Sequence, residues 1–315
     1  MPRHRYPYPI IAGPTASGKT ALAVSVARAL DGEVVSADSM QLYADAAVGT
    51  ARPSAEEMQG VPHHLLGFLP LQEKYSVARY VEDANAVFAR LFSAGITPVL
   101  CGGTGLYIQS FMENVQFLPQ PADPALRQEL QQQAREQGGA ALLQRLTAVD
   151  PETAARLHEN DIHRIVRALE VYYLTGLTIR QQEQRSHSQP SPYSGCLFML
   201  DFRDRAVLYS RIERRVDAML ENGLVEEARR VLRTDAGATV LQAIGYKELL
   251  PYLRGECSLE QAVQTLKTET RHYAKRQLSW FRRMQPRVLY VDDYADTAAL
   301  ATVLLQQYRD FCEEE

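Results

Sequence analysis

The chain has 315 residues, 46% of them hydrophobic and 23% charged, with a formal net charge of −4. That length holds one large or two modest domains with real cores, and the composition is that of an ordinary globular protein. It excludes a protein held to nucleic acid by its global field, a span of ~18 apolar residues through a membrane, and a zinc or disulfide framework, because Cys101, Cys196, Cys257 and Cys312 lie far apart.

The basic start "MPRHRYPYPIIAG" lacks the apolar run of a signal peptide, so a cytoplasmic location is expected, with the chain as a monomer. "YPIIAG" reads as a buried strand, and "GKTALAVSVARAL" carries apolar residues at helical spacing. Between them "GPTASGKT", Gly13, Pro14, Thr15, Ala16, Ser17, Gly18, Lys19 and Thr20, fits G-x-x-x-x-G-K-[ST]. Gly13 and Gly18 let the backbone turn its N–H groups inward at an anion, at the opening of a helix. Lys19 would reach terminal phosphate oxygens, and Thr20 would offer its hydroxyl to Mg²⁺. "GEVVSAD" is a second strand ending at Asp38. That end of an open α/β sheet faces the ligand crevice. Asp38 is thus a candidate general base, a candidate metal ligand, or the N-cap of the next helix; Ser39 can take the cap instead. "SVARYVEDANAVFARLFSAG" is a helix stopped by Gly95. "TPVLCGGTGLY" is a third strand running into a turn at Gly102, Gly103 and Thr104. A nucleotide hydrolase usually has an acid at such a strand end to hold Mg²⁺. A glycine pair there suits close approach of a flat or bulky group, and weakens the hydrolysis reading.

Prolines cluster in "FLPQPADPAL", and the stretches after it read as helices. The polar tract 180–195 reads as an exposed linker, "CLFMLDF" as one more strand, and "RVLYVDD" as the last. The expected fold is α/β, a parallel sheet covered by helices on both faces. Its core is residues 1–118 plus 195–315, and 119–194 is a helical insertion. In "DRAVLYSRIERRVDAML", Arg211 and Arg215 share a face. Either they neutralise phosphate charge, or they pair with Glu213 and Asp217 on a solvated face. In "RHYAKRQLSWFRRM", Arg271, Lys275 and Arg282 fall within about 40° of one another. His272, Arg276 and Arg283 lie alongside; Tyr273, Gln277, Leu278, Trp280 and Phe281 lie opposite. No acid interrupts the basic face between Arg271 and Arg287, so an RNA backbone is a natural partner; a plain solvated face is the alternative. "IHRIVRAL" is a second basic cluster, although Arg167 can simply pair with Glu170. The loop by itself equally suits a small-molecule kinase that binds ATP and uses Asp38 as base toward a hydroxyl.

The chain resembles the bacterial tRNA dimethylallyltransferase (tRNA isopentenyltransferase) family. Nine stretches carry the resemblance in family order over roughly residues 10 to 285: "GPTASGKT", "SADSMQLY", "VGTARPSAEE", "GVPHHLLGF", "CGGTGLYI", "HRIVRALEVYYLTG", "RIERRVDAMLENGLVEE", "QAIGYKE" and "KRQLSWFRR". The resemblance implies transfer of a dimethylallyl group from dimethylallyl diphosphate to N6 of adenine 37, in tRNAs reading codons that begin with U. It implies that Gly13–Thr20 and Arg215 hold the diphosphate, with Mg²⁺ on Thr20. It implies further that Asp38, Thr104 and Arg211 are catalytic and that the adenine is flipped out of its loop. The implied tRNA contacts are Asp38, Ser39, Met40, Gln41, Thr104, Arg127, Ile162, His163, Arg164, Ile165, Val166, Gln242, Gly245, Tyr246, Lys247, Lys275, Arg276, Gln277, Trp280 and Arg282. The insertion is expected to grip the anticodon stem-loop. Two positions depart from the family pattern: Arg52 stands where lysine is frequent, and Gly67 where aspartate is.

Overall fold

In the computed structural model, residues 6–117, 123–186, 189–234, 237–241 and 243–314 are described. Six parallel strands form one sheet: β1 (Tyr6–Ala12), β2 (Glu33–Ser36), β3 (His63–His64), β4 (Pro98–Gly102), β5 (Tyr193–Asp201) and β6 (Arg287–Tyr290). Their order is β3-β2-β4-β1-β5-β6. The central strand β1 pairs with β4 from Ile10↔Leu100 to Ala12↔Gly102, and with β5 from Tyr6↔Tyr193 to Ala12↔Met199. The strand at "PVLCGG" is therefore the fourth in chain order, not the third. β3 escapes a sequence reading because two residues are too short to show any alternation.

The helices of the same unit are α1 (Lys19–Ala29), α2 (Ala55–Met58), α3 (Val77–Ser93) and α4 (Gly105–Met112). The intervening unit, Glu113–Pro190, supplies α5 (Pro124–Gln137), α6 (Gly139–Val149), α7 (Pro151–Ala154), α8 (Ile162–Thr175) and α9 (Ile179–Ser186). After β5 come α10 (Arg205–Glu221), α11 (Leu224–Arg233), α12 (Ala238–Leu241), α13 (Tyr246–Leu253), α14 (Leu259–Arg282) and α15 (Thr297–Glu314).

Alternation along β1 sends Tyr8, Ile10 and Ala12 into the core on one face of the sheet, with Phe88, Phe111, Ile212, Leu266 and Phe281. Ile11 points to the other face, among Leu22, Val26, Leu300 and Leu304 of α1 and α15. The sheet is thus apolar on both sides, as a parallel sheet must be. The helical unit has its own core of Leu130, Leu142, Leu146, Ile165 and Leu169. The tract 180–195 is not wholly a linker. Its first part continues helix α9, because Arg, Gln and Glu favour helix as readily as they favour solvent, and residues 193–195 already belong to β5.

Candidate active site

The carboxyl ends of β1, β2 and β4 build the site. The Ala37 N–H donates to Cys101 O at 2.8 Å and its carbonyl accepts from Thr104 N at 3.1 Å, so β2 and β4 stay paired past their formal ends. Gly102 makes this possible: a Cβ there would strike the Ala37 backbone. Thr104 Oγ1 then accepts from Ser39 N at 2.9 Å. Asp38 Oδ1 accepts from Met40 N at 2.9 Å and more weakly from Gln41 N at 3.4 Å. No helix starts here, so Asp38 is not the N-cap the sequence allowed; the next helix, α2, is capped by Ser54, and these bonds fold residues 38–41 into an Asx-type turn that occupies one oxygen. Oδ2 accepts no hydrogen bond among the described residues, and Asp38 lines a cavity of about 1260 Å³.

The phosphate loop forms another wall of that cavity. Ala16 and Gly18 hold left-handed conformations, φ 62° and 91°, which turn the chain into the start of α1. No side chain caps that helix, and the N–H groups of Gly18, Lys19 and Thr20 have no acceptor among the described residues. Ser17 Oγ is buried with no partner among the described residues. These are the marks of an anion cradle. Lys19 Nζ donates to Pro14 O at 2.7 Å. Burial lowers its pKa to about 8; nearby Arg215 pushes the same way, while Cys101 and Asp38 oppose. Burial pushes the Cys101 thiol up to about 12, so it is no nucleophile at neutral pH.

The arginine pair resolves in the same place. Arg211 Nε donates to Ala16 O at 2.8 Å, beneath the loop. Burial lowers the pKa of Arg215, while Asp38 and Glu57 hold it up. Neither arginine takes the carboxylates of its own helix: Glu213 pairs with Arg271 and Asp217 with Lys267 at 2.6 Å. Both guanidinium groups line the cavity and take no carboxylate among the described residues. An acid does stand at the end of a strand beside β1, which the sequence reading passed over. Asp201 ends β5, but Arg205 and Arg282 donate to it at 2.6 and 2.8 Å and Phe202 N at 2.8 Å. Burial alone would raise its pKa; those bonds outweigh it and hold the carboxyl below the ordinary value. With a fourth, longer bond from Arg205 Nη2 at 3.4 Å, both its oxygens are engaged and its charge is matched by two arginines.

A loop over residues 47–52 completes the wall. The buried Glu227 carboxylate accepts from Val48 N at 2.9 Å, Gly49 N at 2.7 Å and Tyr246 Oη at 2.8 Å. Nothing in the sequence marked Glu227, because its partners lie far away in the chain. Arg52 Nη1 donates to Tyr43 O at 3.1 Å and Ala44 O at 2.9 Å. A Cβ on Gly67 would strike this guanidinium, so the aspartate that the resemblance expects at 67 has no room beside Arg52.

The residues expected to meet RNA fall into groups. Met40 and Gln41 line the cavity with Lys247, Arg276 and Gly245. Lys275 is exposed and has no ion-pair partner among the described residues. The basic face of α14 is otherwise less free than its sequence suggested, since Arg271 and Arg282 are paired with acids from other elements. Gln277 and Tyr246 are buried, and Trp280 packs against Gly105. In the helical unit Ile162 is half-buried, His163 and Arg164 are exposed, and Ile165 and Val166 are core residues. Arg127 forks onto the buried Glu170 at 2.7 and 3.1 Å, and Arg167 joins them. Gln242 lies outside the described residues.

A sequence profile described as IPP transferase matches residues 41–284. The tRNA dimethylallyltransferase of Thermoanaerobacter sp. (strain X514) is 44% identical over 289 residues, covering 90% of this chain and 92% of its own. The full-length tRNA isopentenylpyrophosphate transferase of Bacillus halodurans superposes with a TM-score of 0.71 at 38% identity, covering 97% of each chain. A eukaryotic dimethylallyltransferase acting on tRNA superposes at 0.79 with 26% identity, over 98% of this chain and 80% of that one. By profile, by identity along most of its length and by fold, the chain belongs to the IPP transferase family.

Proposed function

We infer that the protein transfers a dimethylallyl group from dimethylallyl diphosphate to N6 of adenine 37 in tRNAs that read codons beginning with U. One observation carries this reading. An uncapped helix start and a carboxylate with one oxygen that accepts no hydrogen bond among the described residues face the same cavity. A group-transfer reaction with a diphosphate leaving group needs such a pair.

The exocyclic adenine amine is a weak nucleophile, its lone pair delocalised into the ring. Asp38 Oδ2 takes the N6 proton as N6 attacks C1 of the allyl group. The C1–O bond breaks, and the electron pair leaves with pyrophosphate. Loop amides, Lys19, Arg211 and Arg215 hold the charge that develops there. Thr104, anchored by Ser39, sits beside the acceptor. Thr20, whose hydroxyl makes no hydrogen bond among the described residues, would hold a Mg²⁺ ion, which would offset diphosphate charge. Arg127, Ile162, His163 and Arg164 belong to the helical unit, whose proposed task is to grip the anticodon stem-loop. No described helix is long and apolar enough to cross a membrane, and a cytoplasmic monomer fits the reading.

The test is to incubate the protein with Mg²⁺, labelled dimethylallyl diphosphate and unmodified tRNA, then map the label. Label on adenine 37 is expected. Phosphate transfer from ATP with unlabelled RNA would instead return the loop to a kinase.

A further inference from the structure

Gln277 is a glutamine on the buried face of α14, between Ala274 and Leu278 and Phe281, and is only 6% exposed. Its amide bridges two loops. Oε1 accepts from Thr15 N at 2.9 Å, in the phosphate loop. Nε2 donates to Gly103 O at 3.0 Å, in the turn that closes β4. A Cβ on Gly103 would strike Nε2, so glycine at 103 makes room for this contact. The partners are 262 and 174 residues away in the chain.

The two loops approach different substrates. The phosphate loop cradles the diphosphate, while the turn reaches the acceptor side through Thr104 Oγ1, Ser39 N and Asp38. The oxygen and nitrogen belong to one planar amide, so a shift of either loop turns the group against the other. The amide is largely buried, so leaving either backbone group unpaired is costly. Lys275 and Arg276, on the exposed side of the same helix, stand within two residues of it.

We propose that Gln277 is a positioning residue that couples the donor and acceptor sites. A diphosphate that orders the phosphate loop sets the turn bearing Thr104, and RNA seated on α14 sets the loop. The coupling rests on the reading of function above, since it takes the acceptor to sit at Asp38 and Thr104. It runs equally in both directions.

The test uses the full chain with Gln277→Glu and Gln277→Met. Glutamate keeps an acceptor for Thr15 N but turns an oxygen against Gly103 O; methionine keeps the length and neither bond. Affinity for unmodified tRNA is measured with and without saturating Mg²⁺ and inorganic pyrophosphate, and affinity for pyrophosphate with and without tRNA. In the wild type each ligand tightens the other by the same factor, about tenfold. In both variants the factor falls to about one, whatever the affinity for each ligand alone. A merely structural glutamine would weaken both ligands and leave the factor intact. That result, or a wild type without coupling, overturns the proposal. In the wild type alone, tRNA is expected to slow hydrogen exchange across the phosphate loop, and unchanged exchange there overturns it whatever the variants do. Prenyl transfer by the wild type is the separate control: if no RNA is labelled, the functional reading fails, whereas normal labelling with coupled variants fails only the interlock.

Discussion

Asp38 uses its two oxygens differently, and a substitution can separate them. In Asp38→Asn, Oδ1 still accepts from Met40 N and Gln41 N, while the group that takes the proton is gone. Transfer should fall by ~10²–10⁴-fold, with tRNA affinity and thermal midpoint near wild type. Asp38→Ala loses these turn bonds as well, at about 0.5–1.5 kcal/mol of stability. Asp38→Asn turning over at the wild-type rate would remove it as the base. Lys19 gives a pH signature. Its pKa is held down to about 8 from 10.5, and a bound diphosphate favours the charged form. Between those values binding must take up a proton on Lys19. Calorimetry at pH 9 in buffers of different ionisation enthalpy should show that uptake in the wild type and its loss in Lys19→Met; equal proton counts would contradict it. Without ligand the sign reverses its consequence: the unfolded chain holds the proton that the fold has shed, so stability rises from about pH 8 to 10.5.

Secondary structure was legible where its signal is local. The strands "YPIIAG", "GEVVS" and "CLFMLD" and the amphipathic helix α3 follow from apolar spacing alone. The two-residue β3 and the polar helix α9 did not, the first through brevity and the second because a hydrophilic helix and a loop share a composition. The glycine pair at the end of β4 was visible, but its reason was not. The sequence reading had Gly102 and Gly103 admitting a bulky ligand. In the fold Gly102 faces the Ala37 backbone and Gly103 the Gln277 amide. Gly102→Ala should therefore force β2 and β4 apart, costing ~1–3 kcal/mol in denaturant unfolding and displacing Thr104. Unchanged stability would mean the strand ends separate freely.

Over the whole molecule, charge proved the hardest property to read from sequence. The helix "RHYAKRQLSWFRRM" has an unbroken basic face, yet Glu213 and Asp201 arrive from other elements to pair with Arg271 and Arg282. Lys275 is the cleaner probe of RNA binding. Lys275→Ala should weaken tRNA binding and reduce the slope of log K against log salt by about 0.7–0.9. An unaltered slope would leave Lys275 a solvated surface charge. Arg282→Ala also removes a partner from the buried Asp201, so its effect on RNA cannot be separated from its effect on the fold.

By itself the sequence determined the parallel α/β class, the phosphate loop and the candidacy of Asp38. Each depends on consecutive residues: alternation along a strand, successive N–H groups turned to one point, or a carboxylate just past a strand end. Only the tertiary structure decided that Asp38 keeps one oxygen free, that Asp201 is neutralised by two arginines, that Glu227 pins the loop at 48–49, and that Gln277 joins two loops. Those outcomes depend on which groups meet across the fold. A buried polar atom must find a partner wherever the packing places one, and spacing along the chain carries no record of that choice.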